Sequence, residues 1–360
     1  MNYYIHVPFC TAKCGYCAFY SEAGANAAAI DAYLAHLTNE LASVPPEVVE
    51  TLYIGGGTPT LLDRSHLERL MEFLLNRFSF APDAEISIEA NPETLDAEKV
   101  ALLRHYFTRI SLGVQSFNAG LRERIGRRCS QEKLLNAVEL IRRADFPHWN
   151  CDLMYALPGQ DRTMWEEDLH RAAQLGADHI SCYALTPEEN SRLGAELVED
   201  DERGVEFYHL AQDVLCRYGI RRYEISNYAA PGGACRHNAS VWRGGLLRGF
   251  GPAAAGFDGV NRIIQTESLA GWLNGDAPEI DRIAPESRLN EIFAVNLRTV
   301  AGWTPELWAQ VPGADDWANR LEIAGNLQKF FPQDLLISEN SIKLTENGLL
   351  FWNSIAQELF

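Results

Sequence analysis

The sequence predicts an α/β fold built on parallel strands, and two observations carry this prediction. Short β-rich runs alternate with amphipathic helical stretches about six times in the first two thirds of the 360-residue chain, a pattern typical of parallel strands with right-handed crossovers. Polar or glycine-rich residues follow each strand at its carboxyl end, where parallel architectures gather ligand-binding loops. One site supplied by all six strands favours a partial (β/α)6 barrel, similar to a TIM barrel, over a doubly wound sheet.

The strand candidates are short β-rich runs at residues 3–7, 51–54, 85–89, 109–114, 150–154 and 179–184. The helix candidates repeat apolar residues at helical spacing, at residues 30–41, 65–78, 96–106, 131–144, 164–175 and 201–218. In the second helix, Ser65 and Glu68 form the pattern of a capping box, which predicts that the helix begins at this serine.

The composition of the sequence changes after about residue 230, where a glycine-rich stretch is followed by segments with mostly helical patterns. A hairpin is predicted over residues 335–344 with its turn near Glu339 and Asn340. Helices are predicted at residues 289–298, 305–310, 315–330 and 345–360. We therefore predict three parts: a partial barrel, a glycine-rich connecting region and a smaller helical, winged-helix-like domain, at residues 1–230, 231–280 and 281–360.

The charge of the chain argues against several classes of function. It has 49 acidic and 31 basic residues and a formal net charge of −18, which repels phosphate backbones and disfavours nucleic-acid binding. No apolar run approaches the roughly 20 residues that span a bilayer, and the first residues do not have the pattern of a signal peptide. We therefore expect a cytoplasmic protein without a transmembrane segment.

Three of the eight cysteines, Cys10, Cys14 and Cys17, fall within eight residues. In a cytoplasmic protein such spacing indicates metal binding rather than disulfides. Three thiolates suit three irons of a [4Fe–4S] cubane, whose fourth iron is then open to another ligand. A zinc site is the alternative, although a fourth ligand is hard to find nearby.

Further candidate residues lie at the ends of the predicted strands. The three glycines after the second strand let a ligand approach the backbone closely, with a simple tight turn as the alternative. Two carboxylates and an amide at later strand ends suit a ribose, an ammonium or an adenine edge, and solvated surface groups are the alternative there. These residues are Gly55, Gly56, Gly57, Glu89, Gln115 and Asp152.

These segments resemble the motifs of the radical S-adenosylmethionine superfamily. Residues 4–19 are similar to the cysteine signature of its coproporphyrinogen dehydrogenase group, and further motifs of that group follow in order at residues 55–60, 89–92, 111–117, 152–159 and 223–228. The resemblance implies a [4Fe–4S] cluster, S-adenosylmethionine on its open iron and an electron donor for the cluster. In that superfamily the reduced cluster cleaves S-adenosylmethionine to methionine and a 5′-deoxyadenosyl radical.

The same resemblance implies which residues contact each cofactor, and it assigns no catalytic residue with certainty. It places the cluster on the three cysteines and implies contacts to S-adenosylmethionine at Tyr4, Tyr16, Gly56, Gly57, Thr58, Glu89, Gln115, Arg127 and Asp152. Read alone, Arg127 is an exposed charge on a helix.

Two kinds of protein in this group fit the sequence. One is the oxygen-independent enzyme that decarboxylates coproporphyrinogen III in porphyrin biosynthesis; the other is the HemW-type heme chaperone, which passes heme to acceptor proteins. Phe19 stands where the enzyme has a fourth cysteine, and the first strand starts at residue 3, where the enzyme carries an N-terminal extension. Residues 235–242 also resemble the HNxxYW segment of the chaperones. These features favour the chaperone.

Within that segment, His237 is the candidate heme ligand, because a neutral imidazole readily binds heme iron. The alternative is a His–Asn pair that fixes a loop. The sequence departs from the group at Cys129, Val241 and residues 253–255, which affects the heme side rather than the cluster motifs. A homodimer is an alternative that the sequence leaves open, and the heme acceptor is not determined.

Overall fold

The structure, a computed structural model, describes residues 1–186, 191–193 and 201–360. Six parallel strands lie side by side in chain order, each hydrogen-bonded to the next. They are β1 (Asn2–Val7), β2 (Val48–Gly56), β3 (Ser79–Ala90), β4 (Arg109–Gln115), β5 (His148–Tyr155) and β6 (His179–Ala184). All six strand candidates are therefore confirmed, several of them as longer strands, and the fold is a mostly parallel α/β fold as predicted.

Helices connect these strands. They are α1 (Ala27–Ser43), α2 (Arg64–Arg77), α3 (Ala97–Tyr106), α4 (Ala119–Arg124), α5 (Gln131–Ala144), α6 (Arg162–Gln174) and α7 (Asp201–Cys216). The expectation that Ser65 begins α2 is wrong, because Asp63 caps the helix and its side chain accepts a hydrogen bond from the His66 N–H. Ser65 instead donates its hydroxyl hydrogen to Asp63, at 2.8 Å.

The sheet extends beyond the six strands at both sides. Antiparallel β8 (Asn227–Ala229) pairs with β6 and then with β7 (Arg221–Arg222). On the other side β9 (Leu247–Phe250) pairs in parallel with β1, and an antiparallel run continues it. That run is β10 (Ala255–Phe257), β11 (Asn261–Ile264) and β12 (Glu279–Arg282). Within the described residues the sheet therefore stays open rather than closing between β1 and β6.

The remaining elements are mostly helical. They are α8 (Arg236–Trp242), α9 (Leu269–Leu273), α10 (Pro285–Asn296), α11 (Pro305–Trp308), α12 (Trp317–Phe330), the hairpin β13 (Leu335–Ser338) and β14 (Ser341–Leu344), α13 (Glu346–Leu350) and α14 (Trp352–Gln357). The predicted hairpin and its turn are confirmed. The single final helix is wrong, because α13 ends before Phe351 and a second short helix follows.

Buried aromatic side chains form the core of this C-terminal part. The Trp303 and Trp308 rings meet edge to face at 5.0 Å, and Phe293 packs against both. No described helix is long and apolar enough to cross a membrane.

Alternation along the strands positions the functional site. In β3, Ile86 and Ile88 lie in the hydrophobic core, so the alternate residues Glu85, Ser87 and Glu89 face the other side of the sheet. The same alternation in β4, β5 and β6 puts polar side chains on that face. The face that carries the polar residues is therefore fixed by the positions of the isoleucines, valines and leucines between them.

Candidate functional site

The polar face of the sheet lines a cavity of about 570 Å³. Such a volume is ordinary for a small-molecule site, for which about 300–1,000 Å³ is typical. Eleven of the thirteen predicted site residues line it: Cys10, Cys14, Tyr16, Cys17, Gly56, Gly57, Thr58, Glu89, Gln115, Arg127 and Asp152. Motifs that are far apart in the sequence therefore meet at one place.

The three cysteines lie on the segment that follows β1, which we call the cysteine loop, with Cys10 in a two-residue strand (Phe9–Cys10) at its start, and each is partly exposed. The backbone holds this loop against the glycine turn, because the Thr58 N–H donates to the Phe9 carbonyl at 2.7 Å and the Gly57 N–H donates to the Val7 carbonyl at 2.8 Å. A Cβ atom on Gly57 would lie 2.6 Å from the Phe9 carbonyl oxygen. Glycine is therefore required at this position for the cysteine loop to approach β2.

The glycine turn also brings a backbone donor to the cavity. Gly56 has a φ of +109°, a conformation that glycine adopts without a steric cost. Its N–H donates to Glu89 Oε2 at 3.1 Å. The turn after β2 is thus both a tight turn and part of the cavity wall.

Two carboxylates lie in the cavity wall. Glu89 accepts a hydrogen bond from the Tyr53 hydroxyl at 3.0 Å, and burial together with the negative charge of Asp152 raises its pKa to about 7. Burial also raises the pKa of Asp152, which accepts hydrogen bonds from Ser111 at 2.8 Å and Asn150 at 2.7 Å. Two desolvated carboxylates in one cavity favour a cationic ligand.

Arg127 links the cavity to the cysteine loop. Its Nη1 donates to Cys14 Sγ at 3.8 Å and its Nη2 to the Gly113 carbonyl at 2.5 Å. Its Nε is buried without a hydrogen-bond partner in the described residues. Arg127 therefore lines the cavity, in agreement with its prediction as a site residue. It is not an exposed charge on a helix.

Gln115 lies in a sparsely populated backbone conformation. Its φ is +69°, and the pairing of β4 with β5 shifts between Gly113 and Gln115. Left-handed conformations are costly for residues other than glycine and concentrate at functional sites. This irregularity aims the end of β4 at the cavity.

Known proteins resemble the chain in sequence. The sequence model of the radical SAM superfamily matches residues 4–172. A protein of Mycobacterium tuberculosis (strain CDC 1551 / Oshkosh) named heme chaperone HemW is 38% identical over 272 residues, covering 72% of this chain and 70% of the relative. The HemW of Escherichia coli (strain K12) is 34% identical over 375 residues, covering 100% of this chain and 98% of the relative.

The chain belongs to the HemW family of radical SAM proteins. Among solved structures, coproporphyrinogen III oxidase (HemN) from Escherichia coli, a radical SAM enzyme, matches with a TM-score of 0.85 over 99% of this chain and 89% of that one. At 22% sequence identity this likeness shows the fold alone. The fold of this HemW family member is therefore similar to that of HemN over nearly the whole chain, the C-terminal part included.

Membership of the radical SAM superfamily implies a [4Fe–4S] cluster and S-adenosylmethionine, and the cavity fits both. Three partly exposed thiols line one side of it, and the unpartnered Nε of Arg127 lies near one of them. S-adenosylmethionine carries an ammonium and a sulfonium, which suit Glu89 and Asp152. The donor set therefore agrees with the cofactors that the family implies.

Two predicted site residues of this HemW family member do not line the cavity. Tyr4 stacks on Tyr53, with 6.2 Å between ring centroids, and its hydroxyl lies 3.1 Å from His6 Nδ1. His237 is 6% exposed, and its Nδ1 lies 2.8 Å from the Thr51 hydroxyl. Its neighbours Cys235 and Asn238 do line the cavity.

Sequence reasoning missed several polar residues at the floor of the cavity. Asn150 donates to Ser111 and Ser181 at 2.7 and 3.0 Å, and its Oδ1 accepts from His179 Nδ1 at 2.7 Å. His179 Nε2 accepts from the Tyr223 hydroxyl at 2.8 Å. A polar residue at every second position of an otherwise apolar strand is the signal that could have identified them.

Proposed function

We propose that this protein is a heme chaperone, which binds heme and delivers it to heme-accepting proteins. It holds a [4Fe–4S] cluster on Cys10, Cys14 and Cys17 and S-adenosylmethionine in the adjoining cavity. One observation carries the proposal: the three thiols share a cavity with eight of the nine residues expected to contact S-adenosylmethionine. The names of the similar proteins support heme as the cargo.

The arrangement of the thiols supports a cluster rather than zinc. Zn²⁺ gathers its thiolates at about 2.3 Å from one ion, whereas a cubane takes each thiolate on a different iron. The cysteine loop offers three thiols, one for each of three irons, whereas structural zinc normally takes four protein ligands. Cys10 contributes one further contact, since its Sγ lies 3.6 Å from the Thr58 hydroxyl.

Different residues of the cavity contact different groups of S-adenosylmethionine. Glu89 and Asp152 provide negative charge for its cationic groups, and the Arg127 guanidinium provides a positive charge for its carboxylate. Gln115 supplies an amide at the same rim. When bound, the cluster supplies an electron to S-adenosylmethionine.

The first experiment tests the cluster. The Cys14→Ala variant and the wild type are reconstituted anaerobically with iron and sulfide, and bound iron and the visible absorption are measured. We expect the wild type to bind four irons per chain, the content of a [4Fe–4S] cluster, and the variant to lose most of them. The matched control is Cys216→Ala, which removes an exposed cysteine on α7, far from the others in sequence. Full iron content in Cys14→Ala would contradict the proposal.

The second experiment separates the chaperone from the enzyme. The reconstituted protein is titrated with heme, and in parallel it is incubated with coproporphyrinogen III, S-adenosylmethionine and a reductant under anaerobic conditions. We expect heme to bind and to pass to an apo-acceptor such as apomyoglobin, and we expect no protoporphyrinogen. Formation of protoporphyrinogen would replace the chaperone with the decarboxylating enzyme.

A further inference from the structure

We propose that the mouth of the cavity, formed by Phe19, Tyr183 and Lys13, is the docking surface for the porphyrin ring of heme. We call these three residues the aromatic lip. The inference rests on the proposed function, since it names the place where that function binds its cargo. It assigns recognition to the ring face and the propionates rather than to an axial ligand of the iron.

Phe19 is the first observation. It lies two residues after Cys17 on the cysteine loop, lines the cavity and is 72% exposed. A phenylalanine side chain left in water forgoes the free energy that its burial would release. Phe9, at the start of the same loop, is fully buried, so the fold had room to cover an aromatic side chain here. At the cavity mouth this ring is available to stack on a flat ligand.

Tyr183 is the second observation. It lies near the end of β6, lines the same cavity and is 41% exposed. Ser181, two residues earlier on the same face of the strand, lies at the cavity floor and is buried. The Tyr183 side chain therefore spans the wall at β6: its hydroxyl lies near Ser181 at the floor, and the rest of the residue is exposed. Phe19 on the cysteine loop and Tyr183 on β6 line the same cavity, which offers both rings to a flat apolar ligand.

Charge separates the lip from the floor. The floor carries the carboxylates of Glu89 and Asp152, which repel the two propionates of heme, while the Arg127 guanidinium is directed at Cys14 Sγ and the Gly113 carbonyl. Lys13 is exposed at the mouth, on the cysteine loop next to Cys14. Because the whole chain carries a net charge of −18, a lysine beside exposed aromatic rings is a selective place for an anionic apolar ligand. The cavity then accepts a cation at its floor and an anionic macrocycle at its mouth.

The histidines near the cavity support recognition without an axial ligand. His179 uses both ring nitrogens, one toward Asn150 and the other toward Tyr223. His237 is buried against Thr51 and does not line the cavity. Iron-free protoporphyrin IX, which has the same ring and propionates as heme, is therefore expected to bind at the lip as heme does.

The test titrates the reconstituted protein with heme and, separately, with iron-free protoporphyrin IX. In Phe19→Ser we expect the Kd of both ligands to rise about tenfold, the loss expected for one stacked aromatic side chain. In Lys13→Gln we expect a rise of about threefold that disappears at high salt. The matched controls are Phe330→Ser and Lys329→Gln; Phe330 is 71% exposed on α12, and neither control is expected to change the Kd.

Absorption by the cluster is measured in every variant, so that loss of the cluster is not mistaken for loss of the lip. If the wild type binds no heme, the proposed function fails. If the wild type and Phe19→Ser bind heme equally well, the aromatic lip is not the docking surface. The proposed chaperone function is then unaffected. Heme binding without binding of iron-free protoporphyrin IX would also overturn the lip, because it would show recognition through the iron.

Discussion

Two glutamates on the same strand illustrate how position in the fold decides the role of a charge. Glu85 and Glu89 lie on β3, four residues apart and on one face of the sheet. Burial alone would raise the pKa of Glu85, but Arg109 and the backbone N–H groups of His237 and Arg236 outweigh it and lower the pKa. Glu89 accepts hydrogen bonds only from neutral groups in the described structure, and its pKa rises to about 7.

The pKa values of the two glutamates differ because, within the described part of the chain, only Glu85 is paired with a positively charged side chain. Glu85 has its cation within the fold: Arg109 Nε donates to it at 3.1 Å, and both side chains are almost fully buried. It also binds the first backbone N–H groups of α8, which carries His237. Glu89 faces the cavity and is paired with no cationic side chain in the described structure. A carboxylate paired inside the protein stabilises structure, whereas one desolvated without a cation is a candidate binding group.

The largest expected effect is on the internal pair. Glu85→Ala leaves the Arg109 charge buried and frees the N-terminus of α8, so we expect a loss of about 3–5 kcal/mol of unfolding free energy. Urea denaturation measures it. The control is Glu139→Ala, which breaks an exposed pair with Arg142 and Arg143 and is expected to cost less than about 1 kcal/mol. Equal losses in the two variants would remove the distinction between the two glutamates.

Glu89→Gln is expected to act in the opposite direction. The pKa of Glu89 is raised from 4.5 to about 7 on folding, so ionisation destabilises the folded protein as the pH rises from about 4.5 to about 7. The variant lacks this penalty and should be more stable than the wild type by about 3 kcal/mol at pH 8, with no advantage near pH 4.

Urea midpoints of the cofactor-free protein at both pH values measure this difference. The same variant should bind S-adenosylmethionine more weakly in equilibrium dialysis, because its negative charge is lost. A variant that is no more stable than the wild type at pH 8 would show that Glu89 has a cationic partner after all.

The smallest effect is expected at His237, whose backbone N–H donates to Glu85. Burial lowers the pKa of His237 to about 4, so the folded protein keeps it neutral and loses stability as the pH falls from about 6.5 to about 4. At pH 7, His237→Gln should lose about 1 kcal/mol with its bond to Thr51. This deficit should shrink or reverse toward pH 4, because glutamine takes up no proton.

Heme titration of His237→Gln gives an independent measurement of the role of this histidine. With the lip as docking surface, the Kd for heme per folded molecule should equal that of the wild type. A large rise in the Kd, together with an altered Soret band, would restore His237 as the heme ligand.

The sequence predicted most of the parallel core because local pattern and local structure agree there. Each of the six strands is an apolar run long enough to show its period, and the alternating helices are strongly periodic. Strands β9 to β12 were not predicted, since each has three or four residues. Such short segments become strands only because a sheet edge is available to pair with them.

In the candidate site, too, features that are local in the sequence were predictable and contacts between distant residues were not. The cysteines and glycines were identifiable because their chemistry depends on neighbours within a few residues. The environment of His237 was not, because Thr51 lies 186 residues away in the sequence. Phe19 was identifiable as a departure from the related enzymes, but its exposure at the cavity mouth is a property of the folded chain.

The sequence by itself predicted the succession of strands along the chain, the three neighbouring thiols and the polar residues at the strand ends. Each of these features depends only on spacing along the chain. Tertiary structure alone decided that Glu85 is neutralised by Arg109 and Glu89 is not. The reason is that electrostatic energy and desolvation depend on distance in space, and the groups that set them come from other strands and from α8.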